Sequence, residues 1–338
     1  GGVGIMDITA FTKVELAGPD AAAMLDRLVA NRLPKRNGGI ILTHLLNHRG
    51  RIEIEVTVIR LAEDRYYLVC AAFFEQRLLD HLAREGGSGG ADIINRSTRW
   101  AALALQGPKS RAVLSQVTDA ALDNAGFRWL SAQQINVASH DIWALRLSYA
   151  GELGWELHGP AEAMLAVYDA LWDAGTVHGI TNYGSFAMNA MRMEKGFKGA
   201  GELTNEVTLP EADVMRFVDL QGSDFIGRDA TMDSQRASES GQMPWICAYL
   251  SIETGGDDIK ADGHGGEAVM HDGRVVGSTS SVAYGHSVGS VLAFAYIKPA
   301  AAAPGTALEV VVMNEVRAAT VLGEAAYDPQ NLLPRTDG

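Results

Sequence analysis

Ser148-Tyr149-Ala150-Gly151-Glu152-Leu153-Gly154-Trp155-Glu156-Leu157 is the stretch around which the rest of the chain is organised. It follows an alternating run, Ile142, Ala144, Leu145 and Leu147 against Asp141, Arg146 and Ser148, that reads as a strand. Two glycines then fall among two aromatics and two carboxylates, a mixture for which a strand core has no use. Gly151 and Gly154 let the backbone turn or let a flat partner approach closely, while Tyr149 and Trp155 offer stacking faces. Glu156 presents two oxygens side by side, which matches a ligand edge carrying two adjacent N–H donors, as pterins and guanines do. The same stretch also fits a plain glycine-rich hairpin whose Trp caps the core and whose glutamates sit in water.

Working outward, 338 residues are too many for one ordinary core, so two or three domains are expected. With 47% hydrophobic and 20% charged residues and no long apolar run, the composition is that of a globular chain with no membrane span. A net charge of −13 argues against nucleic acid or an anionic membrane as partner. Cys70 and Cys247 lie far apart in apolar runs and suit a reducing compartment, cytoplasmic or, in a eukaryote, the mitochondrial matrix. The opening Gly-Gly-Val-Gly-Ile-Met-Asp has neither an initiator Met nor a basic, apolar signal segment, so a piece of something longer is expected.

Along the chain, residues 12–16 alternate like a strand and Gly18-Pro19-Asp20 starts a helix over 21–30. Residues 40–46, 52–59 and 66–70 read as strands, with Glu53, Glu55 and Thr57 on one side of the second, and a helix follows from about 73 to 84. Gly86-Gly87-Ser88-Gly89-Gly90 reads as a loop. Gly107-Pro108 after the apolar 101–105 run, and Gly159-Pro160 before residues 161–174, repeat one device: strand, Gly-Pro, helix. Such repetition suggests α+β units with helices on one face of antiparallel sheets. A helix over 183–197, a polar loop over 196–210, a short helix after 224–228 and a polar, exposed boundary free of periodicity at 233–241 are expected, and the remainder, 242–338, reads as an all-β barrel or jelly-roll.

Chemistry-bearing patterns are few. Neither a dinucleotide fingerprint nor a P-loop is present, and no Gly-x-Ser-x-Gly elbow appears. His44 and His48 straddle a strand and a turn, and His264 and His271 flank a hairpin, so no metal site is expected. Carboxylates remain. Glu55, just after an Arg-Gly-Arg turn, either belongs to a solvated face or meets a cleft where it positions or accepts a proton. Lys195, Lys198 and Arg228 are candidates to meet an anionic ligand tail.

Several stretches then become recognisable together: 149–156, Met188-Asn189-Ala190-Met191-Arg192-Met193-Glu194-Lys195, Asp224-Phe225-Ile226-Gly227-Arg228, Leu292-Ala293-Phe294-Ala295-Tyr296, Leu105-Gln106-Gly107-Pro108 and the opening Gly-Val-Gly-Ile-Met-Asp-Ile-Thr. In this order they resemble the tetrahydrofolate-binding aminomethyltransferase family, closest to its branch at the C-terminal end of dimethylglycine and sarcosine dehydrogenases. The resemblance covers nearly the whole chain. It implies an α+β fold of two α+β domains and a C-terminal β-barrel around a central hole. Residues 1–235 would hold the two intertwined α+β domains, divided somewhere near 90–140, and 242–338 the barrel.

By resemblance, folate enters that hole with its pterin held by Glu156 and packed by Tyr149, and Trp155, Arg192 and Tyr284 are further implied cofactor-binding residues. Whether Trp155, Tyr183 and Tyr284 line the hole or the core is left open by the residues themselves. Glu55 takes the slot of the family's acidic residue near the reacting nitrogens. The implied reaction has tetrahydrofolate capture an iminium carbon from an N-methylated amino acid to give 5,10-methylenetetrahydrofolate, beside a flavin-containing amine-oxidising domain or subunit. Two departures stand out: Glu replaces the Asp of the glycine-cleavage members, with Ile54 at an adjacent Asp position, and Glu202 falls one place early. A stand-alone folate-dependent demethylase and a non-catalytic folate-sensing module are the rival readings.

Overall fold

The computed structural model describes residues 2–86, 90–222, 224–254 and 263–337. Residues 87–89 of the expected glycine-rich loop lie outside that description. Two sheets and a closed barrel make up the chain. A six-stranded sheet runs in the order Thr181–Asn182, Gly4–Asp7, Trp100–Gln106, Gly154–Pro160, His140–Arg146, Ser131–Val137, antiparallel except for the Gly4–Asp7 pairing with Thr181–Asn182. A five-stranded antiparallel sheet runs Ile40–Leu46, Ile52–Ala62, Arg65–Cys70, Thr12–Ala17, Asp92–Asn95. The first sheet therefore takes its strand Gly4–Asp7 from chain that precedes the second, which ties the two units together.

Each sheet hides one face under helices. On the first, Met164, Val167 and Leu171 of the helix Ala161–Gly175 pack on Leu103, Leu105 and Leu157. On the second, Met24, Leu25 and Leu28 of Ala21–Leu28 and Leu78 and Leu82 of Glu75–Glu85 pack on Ile54, Val56 and Val58. Strand Ile52–Ala62 alternates strictly at its start, so Glu53, Glu55 and Thr57 stand on the other face. That other face meets the first sheet: Tyr67, Val69, Ile40 and Ile59 pack against Ala132 and Leu145.

The third unit is a closed barrel of Ile246–Ile252, Ser290–Ile297, Arg274–Gly285, Ala268–His271, Ala307–Val312 and Glu315–Leu322. Closure leaves no free sheet edge. The helix Ser185–Glu194 docks on it: Met193 packs with Tyr249 and Phe294, and the Tyr249 hydroxyl donates to the Met193 carbonyl at 2.5 Å. This helix is shorter than the 183–197 expected. No named helix or strand falls between it and the short turn Met215–Phe217.

The short helix expected after Arg228 extends further than anticipated, as Arg228–Glu239, into the expected boundary at 233–241. Only Thr231 of that helix is buried, so no apolar periodicity marks it. Polar contacts hold it: Asp233 pairs with Arg236, Gln235 donates to Glu239, the Thr231 hydroxyl bonds the Gly227 carbonyl, and the Ser234 hydroxyl donates to Thr208. No helix among the described residues is long and apolar enough to cross a membrane.

Candidate functional site

The two sheets and the barrel enclose a cavity of about 1250 Å³. Glu55 and Thr57 line it from the five-stranded sheet, Ala104 and Glu156 from the six-stranded sheet, and Tyr249 and Phe294 from the barrel. Tyr149, Arg192, Phe197 and Lys198 come from the segments between.

The organising stretch divides at Gly154. Residues 148–153 form the loop, where Gly151 takes φ 78° and a Cβ would stand 2.2 Å from Lys195 Cγ. Gly154 opens the strand, and a Cβ there would stand 2.6 Å from the Leu105 carbonyl oxygen. From Gly154 on, alternate residues point to opposite faces, so Glu156 and Trp155 cannot share a site. Glu156 faces the cavity. Trp155 does not: it is fully buried in the helix-covered core, edge-on to Phe127 and under the guanidinium groups of Arg111 and Arg146. The expectation of Trp155 as a cofactor contact is corrected for this reason. Tyr284 is corrected too. It lies on the barrel strand Arg274–Gly285, packed against the barrel core and edge-on to His286 at 5.0 Å, and is not part of the cavity lining.

The other expected residues converge. Tyr149 stacks on Phe197 with ring centroids 6.2 Å apart and donates to the Lys198 carbonyl at 3.1 Å. Burial pushes its phenol well above the ordinary value, with the Glu55 charge adding and Arg192 opposing. Arg192 is held hard: Nη1 donates to Glu202 at 2.9 Å and to the Phe197 carbonyl at 3.0 Å, and Nε donates to Asn189 at 3.0 Å. Glu202 is fully buried and also accepts from the Gly199 N–H at 2.8 Å and the Ser280 and Ser281 hydroxyls at 2.7 and 2.5 Å. Glu202 therefore ties Arg192 to the barrel. Lys195 and Lys198 line the cavity but are paired with Asp328 and Asp213, while Arg228, outside the lining, donates to the Leu220 carbonyl.

Three residues were not foreseen. Tyr67 and His158 stand behind Glu156: the Tyr67 hydroxyl is 3.0 Å from His158 Nδ1, and His158 Nε2 is 3.1 Å from Glu156 Oε2. His44, fully buried and directly opposite Glu55 in the strand pairing, has Nε2 3.6 Å from Glu55 Oε1 and no closer hydrogen-bond partner. The period-two rule marks His158, because it falls on the Glu156 face. Nothing local marks Tyr67, which is 91 residues away. Tyr183 is half-buried with its hydroxyl enclosed and unpartnered, and both burial and the nearby Glu156 charge push its phenol well up.

The comparisons agree with this geometry. The family described as GCVT N-terminal domain matches residues 1–222, and the glycine cleavage T-protein C-terminal barrel domain matches 249–328. Human mitochondrial dimethylglycine dehydrogenase is 34% identical over 326 residues, 95% of this chain but 37% of that protein. The chain thus spans little more than a third of that relative. Aminomethyltransferase of Streptomyces coelicolor is 31% identical over 306 residues, 90% of this chain and 80% of the relative. The crystal structure of the glycine cleavage system aminomethyltransferase T from Bartonella henselae shares the fold, with TM-score 0.86 at 22% identity over 97% of this chain and 87% of that one. The fold anticipated from the resemblance, two α+β units and a closed barrel, is therefore the one observed, and the chain belongs to the aminomethyltransferase family of glycine cleavage T-proteins.

Proposed function

We propose that this chain is a tetrahydrofolate-dependent one-carbon transferase module that takes an iminium-derived carbon from a dimethylglycine- or sarcosine-like N-methylated amino acid. The observation that carries the reading is the presence of Glu156 and Glu55, from two different sheets, on the wall of one cavity with Tyr149. At about 1250 Å³ the cavity exceeds the ~300–1,000 Å³ of ordinary ligand pockets, which suits a ligand as long as a folate. The donor set suits it as well. Glu156 Oε1 makes no bond to the described residues and is free to accept from an N–H edge.

When bound, tetrahydrofolate supplies two nitrogen nucleophiles able to take up a carbon at the formaldehyde level. The protein's part is to orient and to manage charge. Glu156 accepts the pterin N–H donors, and the stacked pair Tyr149 and Phe197 walls the ring. Glu55 stabilises cationic character or accepts a proton at its carboxylate, with His44 behind it. Enclosure keeps water from hydrolysing a short-lived iminium. The amine-oxidising step falls to a flavin-containing domain or subunit, a reading supported by the dehydrogenase relatives of which the chain matches only a part. A reducing compartment, cytoplasm or mitochondrial matrix, fits the two buried free thiols and the mitochondrial relatives.

Anaerobic calorimetric titration with tetrahydrofolate tests the reading. Glu156→Ala leaves the ligand's N–H edge without its acceptor Oε1, at roughly 1–3 kcal/mol for an unpaired donor, so affinity should fall at least about fivefold. Glu55→Gln should bind normally yet lose methylenetetrahydrofolate formation beside an iminium-producing flavoenzyme. Undiminished affinity in the first variant sinks the pterin assignment, and unchanged output in the second sinks the catalytic one.

A further inference from the structure

We propose that His158 and Tyr67 are positioning residues for Glu156, a buried hydrogen-bonded chain across the junction of the two sheets that sets which carboxylate oxygen remains for the ligand. The assignment rests on the folate reading above and specifies how that site is held. Its geometry is two good hydrogen bonds in series, 3.0 Å from the Tyr67 hydroxyl to His158 Nδ1 and 3.1 Å from His158 Nε2 to Glu156 Oε2. His158 is fully buried and Tyr67 is 1% exposed, so water cannot substitute for either bond.

Proton placement follows from the outer end inward. Burial, with the charges of Glu156 and Glu15 adding and Arg96 opposing, keeps the Tyr67 phenol protonated. Its O–H has no other hydrogen-bond acceptor among the described residues, so it donates to Nδ1. Nδ1 is then the acceptor nitrogen, the ring proton sits on Nε2, and Nε2 donates to Glu156 Oε2. The charge on Glu156 is thereby stabilised and its rotamer fixed. The Glu156 charge also acts on Tyr183, raising its phenol. Tyr67 belongs to the five-stranded sheet that carries Glu55, whereas His158 and Glu156 belong to the six-stranded sheet. The chain therefore also sets the Glu156 carboxylate relative to the wall that holds Glu55.

The test is a calorimetric double-mutant cycle with tetrahydrofolate on the full chain, each variant first checked for a native melting transition. Tyr67→Phe should weaken binding about five- to tenfold, the loss of one hydrogen bond, and His158→Leu about thirtyfold. His158→Gln keeps an N–H donor near the Nε2 position and should bind within about threefold of wild type. In a Glu156→Ala background, adding Tyr67→Phe should change affinity by less than about twofold, because its effect passes through the missing carboxylate. Wild-type binding combined with full-strength losses in the Glu156→Ala background, no loss in Tyr67→Phe, or no rescue by Gln overturns the assignment alone. Absence of binding by the wild-type chain overturns the folate reading and the assignment with it.

Discussion

Replacing Glu202 by Ala, behind the cavity-lining Arg192, should be among the most damaging single changes around the cavity. Its carboxylate is fully buried and accepts four hydrogen bonds, from Arg192 Nη1, the Gly199 N–H, Ser280 and Ser281. Removing it strands Arg192, which is 5% exposed and retains only the neutral Phe197 carbonyl and Asn189 amide as acceptors. Breaking one side of a buried pair costs about 3–5 kcal/mol, mostly because the remaining charge is left unpaired. With a urea slope at or above the ~3 kcal/mol/M upper end for small proteins, the midpoint should fall by roughly 1 M. The decisive comparison is Arg192→Met combined with Glu202→Leu. Removing both charges should cost less than the sum of the single losses by at least about 2 kcal/mol. Urea denaturation followed by Trp fluorescence reads all of these variants. A Glu202→Ala midpoint within about 0.5 M of wild type, or strictly additive losses, would refute the argument that this pair holds the wall.

Two further outcomes follow from burial and charge. Burial pushes the thiols of Cys70 and Cys247 up to about 12, so at pH 8 neither should react with a thiol reagent until denaturant is added. Prompt labelling of the native chain would contradict their packing. Burial raises the Asp328 carboxyl, but the Leu332 N–H, Lys195 and the Leu333 N–H outweigh it and hold the group below its ordinary 3.8. A lowered carboxyl stabilises the fold above its unfolded value and loses that contribution as pH falls through the folded value. The docked segment from Tyr327 to Leu333 should thus resist proteolysis down to about pH 4 and loosen below it. Release already at pH 5, or an unchanged acid profile in Asp328→Asn, would count against the assignment.

Much of this protein is legible in its residue order, because local rules act over a few residues. Alternation placed Glu55 on the face opposite Val56 and Val58, and the glycines at 151 and 154 marked a loop and a close approach. The ordered motifs sufficed for the fold. The same period-two rule, applied from Gly154, would have separated Trp155 from Glu156 and placed His158 beside it. A short helix after Arg228 was legible, but its full length to Glu239 was hidden because no apolar stripe marks it. What only the tertiary structure decided are the pairings between distant segments: Lys195 with Asp328, Tyr284 against the barrel core, and Tyr67 with His158. A side chain's own spacing dictates the face it occupies. Which partner waits on that face depends on how two sheets close over one cavity, and that contact is made between residues whose separation along the chain carries no local signal.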